Sequence, residues 1–348
     1  MNSKPEWLRL LLIALVIPTL VLNGWLLLLT LEYFKPIINV FITATLLSFL
    51  LDYPVQILQR YQLKRTVAIL AVLLITLIIV GILGITLFPI IIQQFNTLIE
   101  GLPSWIKSAT EQIKTFETWA ISRNIPVNLG GVTVQLLERL SNQVQSLGAD
   151  VIGGIFTVFG RVLDVVIIGA MTFYLLLHGE ELWDDFYKLF PSRIRVPIRT
   201  ALKKNFKNYL IGQASVAGLL GVFMTLAFLI IQVPFGLLFG IVIGVMAFFP
   251  FGASLAISLV CFLVALNSIW LGVQVLITAI IVDQIVENGI APRLLGRFTG
   301  LNPVLILLSL LIGARIAGFL GLIVAVPLVS FLKSLIGILQ TSSSKAID

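Results

Sequence analysis

Two acidic residues four positions apart, Asp283 and Glu287, stand at the end of a long apolar run. In a helix that spacing puts both carboxylates on one face. Two like charges in a medium of low dielectric constant push their proton affinities apart, so the pair is suited to hold a cation or a proton. A structural reading competes with this one, in which both sit at a membrane interface and pair with Arg293 or Arg297. Asn288 follows Glu287 and adds an amide. Arg315 lies inside a later apolar stretch, where a guanidinium needs a water-filled cavity, a carboxylate or an anionic or polyol ligand. An ion pair with Asp283, Glu287 or Asp164 would serve Arg315 equally well. Gln213 enters another apolar run as a neutral hydrogen-bonding group. Glu287, Arg315, Asp283, Gln213 and Asn288 are the candidate substrate- or ion-binding residues.

Other chemistries lack their residues. The chain has 1 His and 1 Cys, no H-E-x-x-H pair and no base placed beside Ser254, so no catalytic set is expected. Without G-x-x-x-x-G-K-[ST] nothing is expected to cradle the phosphates of ATP. No metal site and no cofactor are expected. His178, beside Glu180 and Glu181, reads as an interface residue, and Cys261 as a buried free thiol.

The elements that position these residues must work in lipid. Of 348 residues 59% are hydrophobic and 11% charged, with a mean hydropathy of +1.08, against roughly a quarter charged in a soluble domain. The expected fold is all-α, a polytopic transmembrane helix bundle with the lipid bilayer as its main partner. The formal net charge of +7 would suggest nucleic acid in a soluble protein. Here the excess of Lys and Arg in loops follows from the positive-inside bias, and no nucleic-acid partner is expected.

Along the chain, residues 10–31 form an apolar run too long for a signal peptide and read as a retained first span. A tight turn at Glu32 to Lys35 is expected to lead into a second, 36–51, and a basic loop with Arg60, Lys64 and Arg65 into a third, 67–92. Residues 93–150 are polar, with apolar positions at helical spacing (Ile113, Phe116, Ala120; Leu137, Leu140, Val144). They predict a small extracytoplasmic domain of two amphipathic helices broken at Pro126 and Gly130, packed on each other, on the membrane face or on another subunit. A fourth span at 162–177 precedes seven basic residues between 179 and 213, the strongest cytoplasmic marker. The fifth, 214–232, carries Ala214, Gly218, Gly221 and Thr225 on one face for close packing.

Two stretches are too long for one straight span and short for two: 236–266, broken at Pro250-Phe251-Gly252, and 303–338, with Gly313, Gly318, Gly321 and Pro327. Each permits a re-entrant hairpin of half-helices; full crossings are the alternative. Gly236, Gly240 and Gly244 leave a smooth packing face. The organisation expected is 1–92 as N-terminal transmembrane helices, 93–151 as the extracytoplasmic segment, 152–338 as a core with broken helices, and 339–348 as a polar tail. Broken helices expose backbone groups that can bind a solute or ion. The breaks at Pro250, Gly252, Gly318, Gly321 and Pro327 are therefore expected to flank a polar mid-membrane site.

Several motifs carry a resemblance: Tyr209-Leu210-Ile211-Gly212-Gln213, Pro250-Phe251-Gly252, and the segment from Glu287-Asn288-Gly289 through Pro292-Arg293-Leu294-Leu295-Gly296-Arg297. With Gly300-Leu301-Asn302-Pro303, Gly318-Phe319-Leu320-Gly321 and Val326-Pro327, the sequence resembles the autoinducer-2 exporter (PerM-like permease) family. The resemblance covers nearly the whole chain in layout. It departs at Phe249 and Phe251, where the family pattern has Ile and Tyr around the Pro, and at Asn302, where the family has His. It implies a multi-pass transporter of the bacterial inner membrane that forms homo-oligomers, in a family with members reported as signal exporters and as cation/proton antiporters. The expectation is a secondary transporter or exporter of a small polar solute or signal molecule, coupled to a proton or sodium gradient, with both termini cytoplasmic. A non-transporting membrane assembly protein is the alternative, resting on the external amphipathic segment.

Overall fold

The computed structural model describes residues 6–123, 153, 162–188, 192–292 and 301–344. The fold is an all-α membrane bundle built from α1 (Glu6–Arg60), α2 (Arg65–Ser122), α3 (Val162–Tyr187), α4 (Ser192–Ile230), α5 (Gly236–Met246), α6 (Gly252–Asn267), α7 (Ile269–Gln284) and α8 (Pro303–Ser344). A π-helical turn, Ile285–Ile290, continues α7. Among the described residues, 6 helical stretches are long and apolar enough to cross a membrane.

The turn expected at Glu32 to Lys35 is absent, and α1 is one helix of 55 residues, about 82 Å long against a hydrocarbon core of about 30 Å. The physical reason is local. No Gly, Asn or Asp stands between Leu31 and Pro36 to supply a turn, and Glu32 and Lys35 are three apart, on one side of a helix from which long side chains can reach water. Pro36 is carried inside the helix. Likewise α2 passes through Gln93 without a break for 58 residues. Gln93 and Gln94 are good helix formers. The amphipathic half of α2 therefore continues directly from its apolar half, and residues 124–151 lie outside the described residues.

That amphipathic half buries Leu98, Leu102, Trp105 and Ala109, a 4-3-4 spacing that makes one stripe. The stripe joins the main core with residues of α4, α5 and α6, including Leu220, Met224, Phe228, Ile243 and Val260. The described part of this segment thus packs on the hairpin α5–α6 of the same chain, a partner that was not among the three expected, namely the second amphipathic helix, the membrane face or another subunit.

The small faces expected on α4 and α5 meet. A Cβ on Gly244 would lie 2.6 Å from the Gly221 Cα, and one on Gly240 would lie 2.6 Å from the Thr225 Cα. Gly236 lies against Phe228. Backbones this close gain dispersion contacts over their whole length, which is how helices associate where lipid offers no hydrophobic driving force.

At the other end of α4 the bundle gathers its charges. Lys207 of α4 pairs with Asp52 of α1 at 2.7 Å, both side chains mostly shielded at 17% and 21% exposure. Asn205 donates to Ser334 of α8 at 3.1 Å, and Arg65 of α2 donates to the Leu176 carbonyl of α3 at 2.8 Å. The loop between α1 and α2, the end of α3, the start of α4 and the last part of α8 therefore share one end of the molecule.

Gly244→Val should cost about 1–3 kcal/mol of stability by forcing α5 off α4, seen as a lower melting temperature in mild detergent. Gly218→Ala should be close to neutral, because a Cβ there meets nothing within 4 Å. Equal melting of both variants would remove the close α4–α5 contact.

Candidate functional site at the helix breaks

At 11 and 16 residues, α5 and α6 are each about 16 to 24 Å long and too short to cross the hydrocarbon core alone. They form a hairpin closed by the turn Ala247 to Phe251. Phe251 takes a left-handed conformation at φ 65, and a Cβ on Gly252 would fall on the Met246 carbonyl, so the residue after Phe251 must be glycine.

Three glutamines from other helices complete the hydrogen bonds that this hairpin leaves open. Gln94 of α2 accepts from the Leu238 N–H at 3.0 Å, in the first turn of α5, where Phe235 offers no side-chain cap. Gln213 of α4 donates to the Ala247 carbonyl at 2.6 Å, just past the end of α5. Gln112 of α2 donates to the Leu266 and Asn267 carbonyls at 3.3 and 3.4 Å and accepts from the Ile269 N–H at 2.8 Å. It thereby serves the end of α6 and the start of α7 together. Helix ends carry unpaired N–H and C=O groups, and leaving them bare in lipid costs several kcal/mol each.

The second break is a reversal inside α8. Ala317 (φ −126, ψ 15) and Gly318 (φ 59, ψ −133) leave helical geometry, and Gly318 adopts a backbone that side-chain-bearing residues rarely take. The Gly313 and Gly321 backbones then touch, and Gly313 also faces Ala325. Residues eight apart in a straight helix stand about 12 Å apart. The arms 303–316 and 319–344 are thus folded against each other, so this stretch is a hairpin and not one straight crossing. Pro327 remains within the second arm.

The two breaks meet through aromatic rings. Phe249 and Phe319 stand edge to face with centroids 5.0 Å apart, and Phe248 packs with Tyr209 and Leu210 of α4 and with Ala325 and Val326 of the second hairpin. The contact at this junction is apolar, where the sequence suggested polar groups.

Of the candidate residues, Gln213 is committed to the Ala247 carbonyl. Asp283 lies on α7, and its Oδ1 is buried without a hydrogen-bond partner. Glu287 and Asn288 occupy the π-helical turn, are exposed, and Asn288 donates to Gln284. Val286 in the same turn is fully buried. Single π-turns inside α-helices occur often at functional sites. Arg315 is exposed on the first arm of α8, and none of the ion pairs proposed for it with Asp283, Glu287 or Asp164 is formed. Arg293 and Arg297, the alternative partners of Asp283 and Glu287, lie outside the described residues. Gln94 and Gln112 escaped the sequence reading. Their one signal is an amide next to the apolar stripe of an amphipathic helix.

Replacing Gln213 with Leu should lower stability by about 1–3 kcal/mol despite the added apolar surface, since it leaves the shielded Ala247 carbonyl without its partner, and Gln112→Leu should cost less, because the backbone groups it serves are only part-buried or exposed. Thermal melting in detergent measures this, and a Leu variant at wild-type stability would show that water fills the vacancy.

A family model described as AI-2E family transporter matches residues 15–340. The chain is 42% identical over 336 residues to "Putative transport protein sll0060" of Synechocystis sp., covering 96% of this chain and 98% of that protein. It is 41% identical over 345 residues to "Putative transport protein sll0063" of the same organism, covering 98% and 87%. With the "Sodium-lithium/proton antiporter" of Halobacillus andaensis it shares 23% identity over 349 residues, covering 94% of each. On a helical bundle whose two broken stretches fold back as hairpins, a match of this extent has one meaning: the chain belongs to the AI-2E transporter family of membrane proteins.

Proposed function

We propose that the protein is a secondary transporter of a small polar solute in the cell's inner membrane, driven by a proton or sodium gradient, with Asp283 as the coupling-ion site and Glu287 beside it. The observation that carries this reading is the buried, unpartnered Asp283 Oδ1 on α7, a helix long and apolar enough, with its π-turn, to cross the membrane. A carboxylate so placed is costly unless it binds a proton or cation. The π-turn that begins two residues further on widens the helix and carries Glu287 and Asn288, both exposed. The name of the Halobacillus andaensis relative, a sodium-lithium/proton antiporter, supports the same coupling. Export as the direction of transport rests on the family alone.

The assembly reading loses part of its motive, because Leu98, Leu102, Trp105 and Ala109 of α2 are covered within the chain, while Phe116 and Trp119 further along the same helix stay exposed. A homo-oligomer keeps a different support. Arg315 is exposed among exposed apolar neighbours such as Leu311, Ile312 and Ile316, and a second copy offering a carboxylate would satisfy it.

For orientation, the basic end is read as cytoplasmic. The end of α8 lies there with Asn205, which supports a cytoplasmic C-terminus. Arg293 and Arg297 lie outside the described residues and are read as cytoplasmic from the same charge bias. The expected cytoplasmic N-terminus gets no support from the path of α1, which runs unbroken from Glu6 to Arg60.

In proteoliposomes, Asp283→Asn and Glu287→Gln should each reduce sodium- or lithium-driven proton movement at least tenfold while leaving melting temperature unchanged. Normal transport by both would put the site elsewhere. A Cys at position 293, in a background without Cys261, should react with an impermeant thiol reagent only from the cytoplasmic side; labelling from outside would overturn the orientation.

A further inference from the structure

A cleft separate from both hairpins opens at the charged end, between α1, α2, α3 and α4. It encloses about 680 Å³, part of it open to solvent, of which about 70 Å³ admits the centre of a water-sized sphere. It is therefore narrow, and it takes a slender alkyl chain more readily than a bulky ring. None of α5 to α8 contributes to its lining.

Its walls are of two kinds. Phe49, Leu175, Leu202 and Trp183 give an apolar side, and Arg65, Arg199, Lys203, Asp52 and Glu180 a charged one. Both acids are already matched: Asp52 by Lys207 at 2.7 Å and Glu180 by Lys203 at 3.0 Å. Arg199 is matched by Asp184 at 2.7 Å. Arg65 differs. Its Nε and Nη2 both donate to the Leu176 carbonyl, at 3.3 and 2.8 Å, and among the described residues no carboxylate pairs with it. A carbonyl orients the guanidinium without cancelling its charge, so the cleft has one positive charge in excess. Tyr187 at the same wall is buried, which pushes its phenol up to about 12 although Arg199 opposes the rise; it stays a neutral O–H at working pH.

We propose that this cleft binds a single-chain amphipathic anion, its phosphate or carboxylate on Arg65 and its alkyl part along Phe49, Leu175 and Leu202. A planar guanidinium is the residue best fitted to grip such a head group. The same chemistry belongs to an anionic phospholipid entering from the bilayer and to a soluble organic anion. Gly179 supplies a clean probe. It lines the cleft, and a Cβ there meets nothing within 4 Å, so a larger side chain starts in open space and extends into the volume the alkyl part would take.

The test is calorimetric titration of hexyl phosphate into the full-length protein in phosphatidylcholine nanodiscs, with empty discs subtracted. Saturable binding is expected, at least tenfold tighter than inorganic phosphate. Gly179→Leu and Arg65→Gln should each weaken it tenfold or more, Gly179→Leu with no loss of melting temperature. Exchanging a third of the phosphatidylcholine for phosphatidylglycerol then separates the sources. A tenfold fall in apparent affinity identifies a lipid occupant, and an unchanged affinity a soluble anion. No saturable heat with the wild-type protein, or wild-type binding by the folded Gly179→Leu variant, overturns the proposal.

Discussion

A helix that stops inside a bilayer must hand its unpaired backbone groups to something, and in this protein that something is largely glutamine. Gln94, Gln112 and Gln213 reach from α2 and α4 to the ends of α5, α6 and α7. The hairpin α5–α6 exists in lipid because these amides stand where its own turns offer nothing. Much else follows from that requirement. The long helix α2 must run unbroken from Gln94 to Gln112 to serve both the start of α5 and the α6–α7 turn, and α4 must lie against α5 closely enough for Gln213 to meet Ala247. The glycines at 221, 240 and 244 make that approach possible.

The two hairpins are built on different principles. The first is held from outside, by neighbouring helices. The second closes on itself, through the contact of Gly313 with Gly321 and the unusual backbone of Gly318. They touch at Phe249 and Phe319. An edge-to-face ring contact is worth about 0.5–1.5 kcal/mol beyond area burial, enough to set a preference between arrangements and small enough for binding energy to reverse.

Much of this was legible in the sequence, and the failures have physical causes. Apolar length and loop charge gave the membrane class and the basic end. Proline and glycine gave both breaks, because backbone chemistry acts locally and leaves a local trace. The glycine face of α5 and the small face of α4 were visible separately, and their pairing needed the structure. The turn at Glu32 failed because two charges were read as a boundary when no turn-forming residue accompanied them. Composition likewise suggested a boundary at Gln93, yet a change from apolar to amphipathic is no reason for a helix to end. Gln213 was picked out for its polarity, and its use as a cap was not foreseen because a cap from another helix has no fixed spacing. For Asp283 the burial of one oxygen could not be read from sequence at all, since it depends on how α7 lies against its neighbours.

The dependence of the first hairpin on α2 also bears on how the chain enters the membrane. Half-helices of 11 and 16 residues are too short to be handed to lipid as independent spans, however apolar they are. They leave the ribosome more than a hundred residues after Gln94 and Gln112. Biogenesis thus has an order: α2 and α4 must already be in place when α5 emerges, and the earlier helices act as the template on which the later ones are laid.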